Sequence, residues 1–239
     1  MEESRVIQLL WTLFHNKEAE QLTLRKKILV TGFSPFGGEP INPAWEAVKR
    51  LPDQIAGAAL IKLEIPTSFS RCGPAVEAAV EAHQPDAVLC VGQAGGRACV
   101  SVERVAINLA EARIPDNDGN QPADEPIQAD GPDAYFSTLP VKAIVQNVRA
   151  RGIPCQLSYS AGTYVCNCVM YQALHLAAKR CPGLRAGFIH VPYLPAQAVD
   201  KPASAPSMEL STLTAALEAA VEAIANDSAG VRENMGTVC

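Results

Sequence analysis

The chain has 239 residues, a net charge of −5 at pH 7 and 48% apolar residues, which is the composition of an ordinary globular protein. Its longest basic cluster is only Arg25 to Lys27, so the charge pattern argues against a nucleic-acid partner and favours a neutral or small ligand. No apolar run reaches about 18 residues, so no membrane span is expected. The acidic start at Glu2 and Glu3 argues against a signal peptide.

Apolar runs that alternate with amphipathic segments predict strands and helices in turn along the chain. In chain order the predicted elements are a strand at 27–31, a helix at 44–51 with Asn42 as N-cap, a strand at 59–65, a helix at 74–83, a strand at 87–91, an extended segment at 100–109, a helix at 141–150, a strand at 156–160, a helix at 164–179, a strand at 186–191 and a helix at 207–225. This alternation predicts the α/β class, as a single-domain three-layer α/β/α sandwich with a largely parallel, mixed central sheet.

The predicted α/β/α domain spans residues 27–226. Residues 1–26 form an N-terminal extension that is either disordered or a short helix, and 227–239 form a polar C-terminal tail. Within the domain, residues 115–133 are polar and rich in Pro, Asp and Gly, which predicts a long loop. Loops of this length in compact domains often carry function.

Eight cysteines raise the question of disulfide bonds. A chain of this length can bury a substantial core without cross-links, and several cysteines lie inside apolar runs. We therefore expect buried free thiols in a reducing compartment. The cysteines are Cys72, Cys90, Cys99, Cys155, Cys166, Cys168, Cys181 and Cys239.

Cys166 is the candidate nucleophile, because it follows a predicted strand and a turn at Gly162 and lies near the first turn of a helix. Free amides and the helix dipole at that position favour a thiolate and can also bind an oxyanion. The alternative is an inert cysteine on the core face of the helix.

A thiol nucleophile needs a base, and elimination among four histidines leaves His190. His15 lies in the extension, His83 ends a helix, and His175 is about 13 Å along the same helix from Cys166. His190 ends an apolar strand, where reactive groups of open parallel sheets collect. Its alternative role is that of a core histidine bonded to a backbone carbonyl.

Glu103 is the candidate third group, because a carboxylate in an extended apolar segment needs a partner. The sequence leaves two partners open, the adjacent Arg104 or His190.

Metal and nucleotide sites are less well supported by the sequence. Cys166 and Cys168 have half of a zinc-site spacing, but no second ligand pair follows. The glycines of 32–39 have P-loop spacing without the Lys and Ser/Thr, and 92–96 lacks the full dinucleotide fingerprint.

Six segments in the same order resemble the pyroglutamyl peptidase I (pyrrolidone-carboxylate peptidase) family of cysteine peptidases, over about residues 27–220. They are Thr31-Gly-Phe-Ser-Pro-Phe-Gly-Gly38 with Asn42-Pro43, Val91-Gly-Gln-Ala-Gly-Gly-Arg97, Glu103-Arg-Val-Ala-Ile-Asn108, Glu111-Ala-Arg-Ile-Pro-Asp-Asn117, Ser160-Ala-Gly-Thr-Tyr-Val-Cys-Asn167 and Phe188-Ile-His-Val-Pro192. The sequence departs from the family at Ser34, where an acidic residue is usual, and at Cys168, a position often held by His that could make the thiol sensitive to oxidation.

The resemblance implies hydrolysis of the amide bond after an N-terminal pyroglutamyl residue of peptides, through a thiolate and an acyl-enzyme. It implies a catalytic triad of Glu103, Cys166 and His190. It further implies a cytoplasmic homo-oligomer, a tetramer, with no metal or cofactor. The substrate-binding residues that it implies are Phe33, Phe36, Asn42, Gln93 and Arg113.

A pyroglutamyl ring is a neutral lactam, so its pocket needs flat apolar walls and a few neutral polar groups. Phe33 and Phe36 suit the walls, and Gln93 and Asn42 the polar contacts. Equally, the two aromatics could plug the core, Asn42 could only cap a helix, and Arg113 could be structural. Two rival functions remain: a nucleoside phosphorylase-like hydrolase, which would not need Cys166, and a binding module without activity.

Overall fold

A seven-stranded sheet forms the centre of the computed structural model, which describes residues 26–227 and 233–236. Most of the predicted N-terminal extension and of the polar tail therefore lies outside the described residues. The strands are β1 Lys27–Phe33, β2 Gln54–Ile55, β3 Ala58–Ile65, β4 Ala87–Gln93, β5 Val100–Glu103, β6 Val105–Ile107, β7 Ala134–Phe136, β8 Cys155–Ser158 and β9 Arg185–Val191. The central sheet has the order β2-β3-β1-β4-β9-β5-β8, and β6 pairs with β7 in a separate two-stranded sheet.

Helices cover both faces of this sheet. They are α1 Pro43–Val48, α2 Cys72–His83, α3 Val141–Ala150, α4 Val165–Lys179, α5 Pro195–Ala198 and α6 Leu210–Ala225. Helices α1, α3 and α6 share one apolar core with the sheet, and α2 and α4 share a second core on the opposite face. The expected three-layer α/β/α sandwich is confirmed.

Strand directions in the central sheet are mixed, as predicted. Strand β1 runs parallel to β3 and β4, β4 runs parallel to β9, and β5 runs parallel to β8. Strand β2 is antiparallel to β3, and β5 is antiparallel to β9. Strands β4 and β9 are buried almost throughout, which explains their continuous apolar sequences.

Several boundaries differ from the sequence prediction for local physical reasons. Gly32 lies inside β1 and does not end it; a side chain there would come within 2.6 Å of the Trp45 Cα atom, so glycine lets α1 pack on the strand. The segment 100–109 divides into β5 and β6, which enter different sheets on either side of Arg104. The short elements β2, β7 and α5 were not predicted.

The long loop predicted at 115–133 contains no helix or strand. Among the described residues, no helix combines the length and the apolar character that crossing a membrane requires.

Candidate active site

Strand register places two of the candidate catalytic side chains on one face of the sheet. Gly92 of β4 lies beside His190 of β9, and Glu103 of β5 lies beside Phe188 of β9. Because side chains alternate along a strand, His190 and Phe188 point to the same face, the one covered by α2 and α4. Glu103 and His190 are thus diagonal neighbours on that face, within reach of each other's long side chains.

His190 and Glu103 form a buried hydrogen-bonded pair. His190 Nδ1 lies 2.7 Å from Glu103 Oε1, and the Glu103 side chain is 0% exposed. Since a carboxylate only accepts, Nδ1 carries the proton and Nε2 is left as an acceptor. Of the two partners left open by the sequence, the structure brings His190 to Glu103, whereas the Arg104 guanidinium lies over the Phe136 ring.

Cys166 is the second residue of α4 and lies directly above the sheet. A Cβ atom added to Gly92 would lie 2.8 Å from the Cys166 Sγ atom, so the thiol occupies the space that this glycine leaves next to His190. The N-cap residue Tyr164 makes no side-chain hydrogen bond to the helix start. The first amides of α4 are therefore left available to bind an oxyanion.

A small cavity of about 120 Å³ is lined by both the thiol and the imidazole. Larger pockets of about 560 and 360 Å³ lie elsewhere on the surface, but neither is lined by His190 or Cys166. The residues lining the small cavity are Phe33, Phe36, Asn42, Thr67, Gln93, Ala161, Tyr164, Val165, Cys166 and His190.

The structure places four of the five predicted substrate-binding residues at the cavity and one outside it. Phe33, Phe36, Asn42 and Gln93 all line the cavity. Arg113 is exposed and lies outside that lining, and its backbone carbonyl accepts a hydrogen bond from a nearby glutamine side chain.

Comparison with known proteins shows the family to which the chain belongs. A family model described as "Pyroglutamyl peptidase" matches residues 26–227. The chain is 56% identical over 211 residues to a pyrrolidone-carboxylate peptidase of Enterococcus faecalis, which covers 88% of this chain and 99% of that protein.

The chain belongs to the pyroglutamyl peptidase family.

Other members of the pyroglutamyl peptidase family are also similar to this chain over most of its length. A pyrrolidone-carboxylate peptidase of Treponema denticola is 51% identical over 216 residues, covering 89% of this chain and all 100% of that protein. The crystal structure of pyroglutamyl peptidase I from Bacillus amyloliquefaciens superposes with a TM-score of 0.82 at 49% identity, covering 84% of this chain and 96% of that one. The family consists of cysteine peptidases, so membership makes this chain a hydrolase.

Two of the predicted pocket residues in this pyroglutamyl peptidase family member also have structural roles. Phe33 is 2% exposed and packs against Phe188 with ring centroids 6.4 Å apart, so it belongs to the core as well as to the cavity wall. Asn42 accepts a hydrogen bond from the Ala44 amide at 3.1 Å, as predicted for an N-cap, and donates to the Ser34 carbonyl at 3.2 Å.

Cys168 is separated from the cavity although it is only two residues from Cys166. Its thiol faces the other side of α4, where it donates to the Phe69 carbonyl at 3.7 Å and accepts from Gln172 at 3.1 Å. It does not line the cavity. Cys168 is therefore a natural comparison for any experiment on Cys166.

The sequence analysis missed Arg97, which contacts the buried pair directly. Its guanidinium donates to Glu103 Oε1 at 2.6 Å and to the Ser160 carbonyl at 3.1 Å. A signal was present, since a buried carboxylate needs a compensating cation and Arg97 precedes it by six residues in the same matching region.

Burial dominates the ionisation of the thiol. It raises the pKa of Cys166 to about 12, an effect that Glu103 strengthens and Arg97 opposes. The helix start favours a thiolate, as the sequence suggested, but desolvation acts in the opposite direction and is the larger effect. Among the described residues, no hydrogen bond to the Cys166 thiol is formed in the free chain.

The imidazole is also kept neutral. Burial lowers the pKa of His190, although the hydrogen bond and charge of Glu103 act in the opposite direction. For Glu103 itself, burial alone would raise the pKa, but the hydrogen bond from His190 and the nearby Arg97 outweigh it and the pKa is lowered. The free site thus holds a neutral thiol, a neutral imidazole and a carboxylate.

Proposed function

We propose that this chain removes N-terminal pyroglutamyl residues from peptides, with Cys166 as nucleophile, His190 as general base and Glu103 orienting the imidazole. One observation carries the proposal: a thiol and an imidazole backed by a buried carboxylate line the same small cavity. The names of the relatives support the substrate class.

The chemistry follows from the ionisation of the free site. Because the thiol is protonated, His190 Nε2 takes its proton as Sγ attacks the scissile carbonyl carbon. The first amides of α4 stabilise the oxyanion, and His190 then gives the proton to the leaving amine. A water molecule, deprotonated by His190, attacks the acyl-enzyme and releases pyroglutamate and the free thiol.

The cavity explains why one small ring would be recognised. Its volume of about 120 Å³ is below the roughly 300–1,000 Å³ of common ligand pockets, so it fits a single ring with the rest of the peptide outside. None of its lining residues carries a carboxylate, since Glu103 lies behind His190. An N-terminal glutaminyl ammonium would therefore be buried without a counter-ion, which is costly.

Amine release from a pyroglutamyl-arylamide tests the proposal, with Cys168→Ser as the matched control. We expect Cys166→Ser to lose at least about 10³-fold in kcat while remaining folded, and Cys168→Ser to stay close to the wild type. A glutaminyl-arylamide should be cleaved roughly 10⁴-fold less well. A wild-type protein that releases no amine, or a Cys166→Ser variant that stays active, would show that the proposal is wrong.

The remaining expectations from the family resemblance are proposals of the same kind. They are a domain spanning 27–226, a cytoplasmic location, a homotetramer, and catalysis without metal or cofactor. Light scattering on the purified chain measures the oligomeric state.

A further inference from the structure

One oxygen of the buried Glu103 carboxylate has no hydrogen-bond partner. Glu103 Oε1 lies 2.7 Å from His190 Nδ1 and accepts from Arg97 at 2.6 Å. Glu103 Oε2 is equally buried, but among the described residues no group forms a hydrogen bond to it. Because a buried carboxylate oxygen without a donor costs free energy, we looked for a donor among the groups beside Glu103.

Ser158 lies beside Glu103 in the central sheet. Strand β8 runs parallel to β5, and Ser158 is the register partner of Glu103, so both side chains point to the same face. The preceding residues Leu157 and Val102 pack in the opposite core, which places the pair on the face covered by α2 and α4. One guanidinium nitrogen of Arg97 contacts both side chains, at 2.6 Å from Glu103 Oε1 and 3.5 Å from Ser158 Oγ.

The Ser158 hydroxyl has a single proton and two acceptors that compete for it. The first acceptor is the Ser160 carbonyl, which lies 3.3 Å from Ser158 Oγ and already accepts from Arg97 at 3.1 Å. The second is Glu103 Oε2, a charged acceptor. Hydrogen bonds to an ionised acceptor are roughly twice as strong as neutral ones. Since Ser158 is only half-buried, a small χ1 rotation can direct the proton to the carboxylate.

The ionisation of Glu103 supports this choice of acceptor. Burial alone would raise the pKa of Glu103, but the hydrogen bond and charge of His190, followed by the Ser158 hydroxyl and the charge of Arg97, outweigh it and the pKa is lowered. A hydroxyl lowers the pKa of a carboxyl group by donating to its ionised form.

We infer that Ser158 is a positioning residue, which donates a hydrogen bond to Glu103 Oε2 and so fixes the carboxylate behind the His190 imidazole. The inference rests on the proposed function, in which Glu103 orients His190. With a donor on each oxygen, the carboxylate cannot rotate about its terminal torsion, and Oε1 stays directed at Nδ1. Ser158 does not line the cavity, so it acts through Glu103 and does not contact the substrate.

Loss of the hydroxyl should change both the basicity and the orientation of Glu103. A carboxylate with one donor fewer stabilises the imidazolium more strongly, so the pKa of His190 rises and the acid limb of kcat/KM moves to higher pH. A less constrained imidazole lowers kcat, by about 10-fold for the loss of one hydrogen bond to a charged group. KM should change little, because Ser158 does not line the cavity.

The variants at Ser158 leave the other charged and titratable groups around this pair unchanged. These groups are Arg97 before β5, Cys90 of β4, and Tyr164 and Cys166 at the start of α4. A displaced acid limb in a Ser158 variant therefore reports on the hydroxyl itself.

The isosteric pair Ser158→Val and Ser158→Thr separates the hydroxyl from the shape of the side chain. Both side chains suit a strand. On a pyroglutamyl-arylamide, we expect Ser158→Val to lose about 10-fold in kcat with its acid limb at higher pH, and Ser158→Thr to restore both. Identical pH profiles in the two variants would overturn the inference. So would a lower thermal stability of Ser158→Val with an unmoved acid limb, because the hydroxyl would then serve only the Ser160 carbonyl.

Alkylation of Cys166 by iodoacetamide provides a measurement that needs no peptide. Because the thiol is protonated in the free site, alkylation uses His190 as base, and its acid limb reports the ionisation of the imidazole. Peptide mass mapping distinguishes Cys166 from the other cysteines. We expect the acid limb of alkylation to move to higher pH in Ser158→Val and to return in Ser158→Thr.

The two measurements separate this inference from the proposed function. A wild-type chain that releases no amine contradicts the proposed function, and the alkylation profiles then decide the inference alone. An active wild type whose kinetic and alkylation profiles are the same in Ser158→Val and Ser158→Thr contradicts only the inference. Where the β-branched variants do not fold, Ser158→Ala is compared with the wild type and is expected to show the same displaced acid limb as Ser158→Val.

Discussion

Arg97 donates a hydrogen bond of 2.6 Å to Glu103 through the same carboxylate oxygen that accepts from His190 Nδ1. Its second nitrogen holds the Ser160 carbonyl in the turn that leads into α4. One guanidinium therefore joins the carboxylate behind the imidazole to the backbone that positions Cys166.

The first prediction concerns the pH dependence of an Arg97→Met variant. The cation opposes proton binding at His190, and it lowers the pKa of the Cys166 thiol. Its removal raises both pKa values, so the acid limb of the kcat/KM profile moves to higher pH and the activity at pH 7 falls. The pH–rate profile of the pyroglutamyl-arylamide reaction measures this shift.

Arg97→Lys is the matched variant for this prediction. It keeps the charge but cannot hold both acceptors in the planar geometry of a guanidinium. We expect its acid limb to stay near that of the wild type while kcat falls. An acid limb that does not move in Arg97→Met would show that the cation does not tune the imidazole.

The second prediction concerns Gly92, whose missing side chain leaves room for the nucleophile. A Cβ atom there would lie 2.8 Å from Cys166 Sγ and 2.7 Å from the Phe188 ring. Gly92→Ala should displace the thiol and lower kcat about 10²-fold, because small misplacements of reacting groups are costly. Gly236→Ala is the control, since nothing lies within 4 Å of its Cβ position. Full activity of Gly92→Ala would mean that the thiol does not react from this position.

The third prediction separates the two aromatic walls. Phe33 is part of the core, so Phe33→Ala should cost about 3–5 kcal/mol of unfolding free energy and also raise KM. Phe36 is half-buried against Tyr164, so Phe36→Ala should raise KM with a much smaller loss of stability. Urea unfolding and steady-state kinetics measure the two effects. Phe136→Ala, at a 65% exposed position, should change neither. Equal losses of unfolding free energy in Phe33→Ala and Phe36→Ala would contradict the prediction that only Phe33 belongs to the core.

The fourth prediction concerns Asp116, which organises the start of the long loop. Its carboxylate accepts backbone hydrogen bonds from Phe69, Asp118 and Asn120 at 2.8, 2.9 and 2.8 Å. Burial alone would raise the pKa of Asp116, but these bonds outweigh it and the pKa is lowered. The neighbouring Asn117 side chain donates to the Pro35 carbonyl at 2.8 Å, which attaches this loop to the one that carries Phe36.

Because the folded pKa of Asp116 lies below the unfolded one, its stabilisation is present above about pH 4 and is lost as the pH falls through the folded value. Asp116→Asn should therefore lower the unfolding free energy by about 1–3 kcal/mol at pH 7. The difference from the wild type should shrink below about pH 4. Urea unfolding at several pH values measures it, and a difference that does not shrink at all as the pH falls below about 4 would assign the effect to packing.

The sequence allowed the sandwich and the three candidate residues to be predicted because each depends on local patterns. Alternating apolar runs predicted the layers, and the ends of strands and the start of a helix located His190 and Cys166. The sequence predicted a largely parallel, mixed sheet but not which strands run antiparallel, since no local pattern shows that β5 runs antiparallel to β9. The raised pKa of Cys166 was missed because burial depends on packing from several elements at once.

The alternation of side chains along β9 has a consequence for how the chain length can change. His190 and Phe188 face α2 and α4, whereas Ile189 and Val191 face the opposite core. A single-residue insertion or deletion inside this strand would place the imidazole on the opposite face of the sheet. The strand residues beyond the change would then face the wrong core. Insertions and deletions should therefore be tolerated only in the connecting loops. Within the strands, only substitutions preserve the face to which each side chain points.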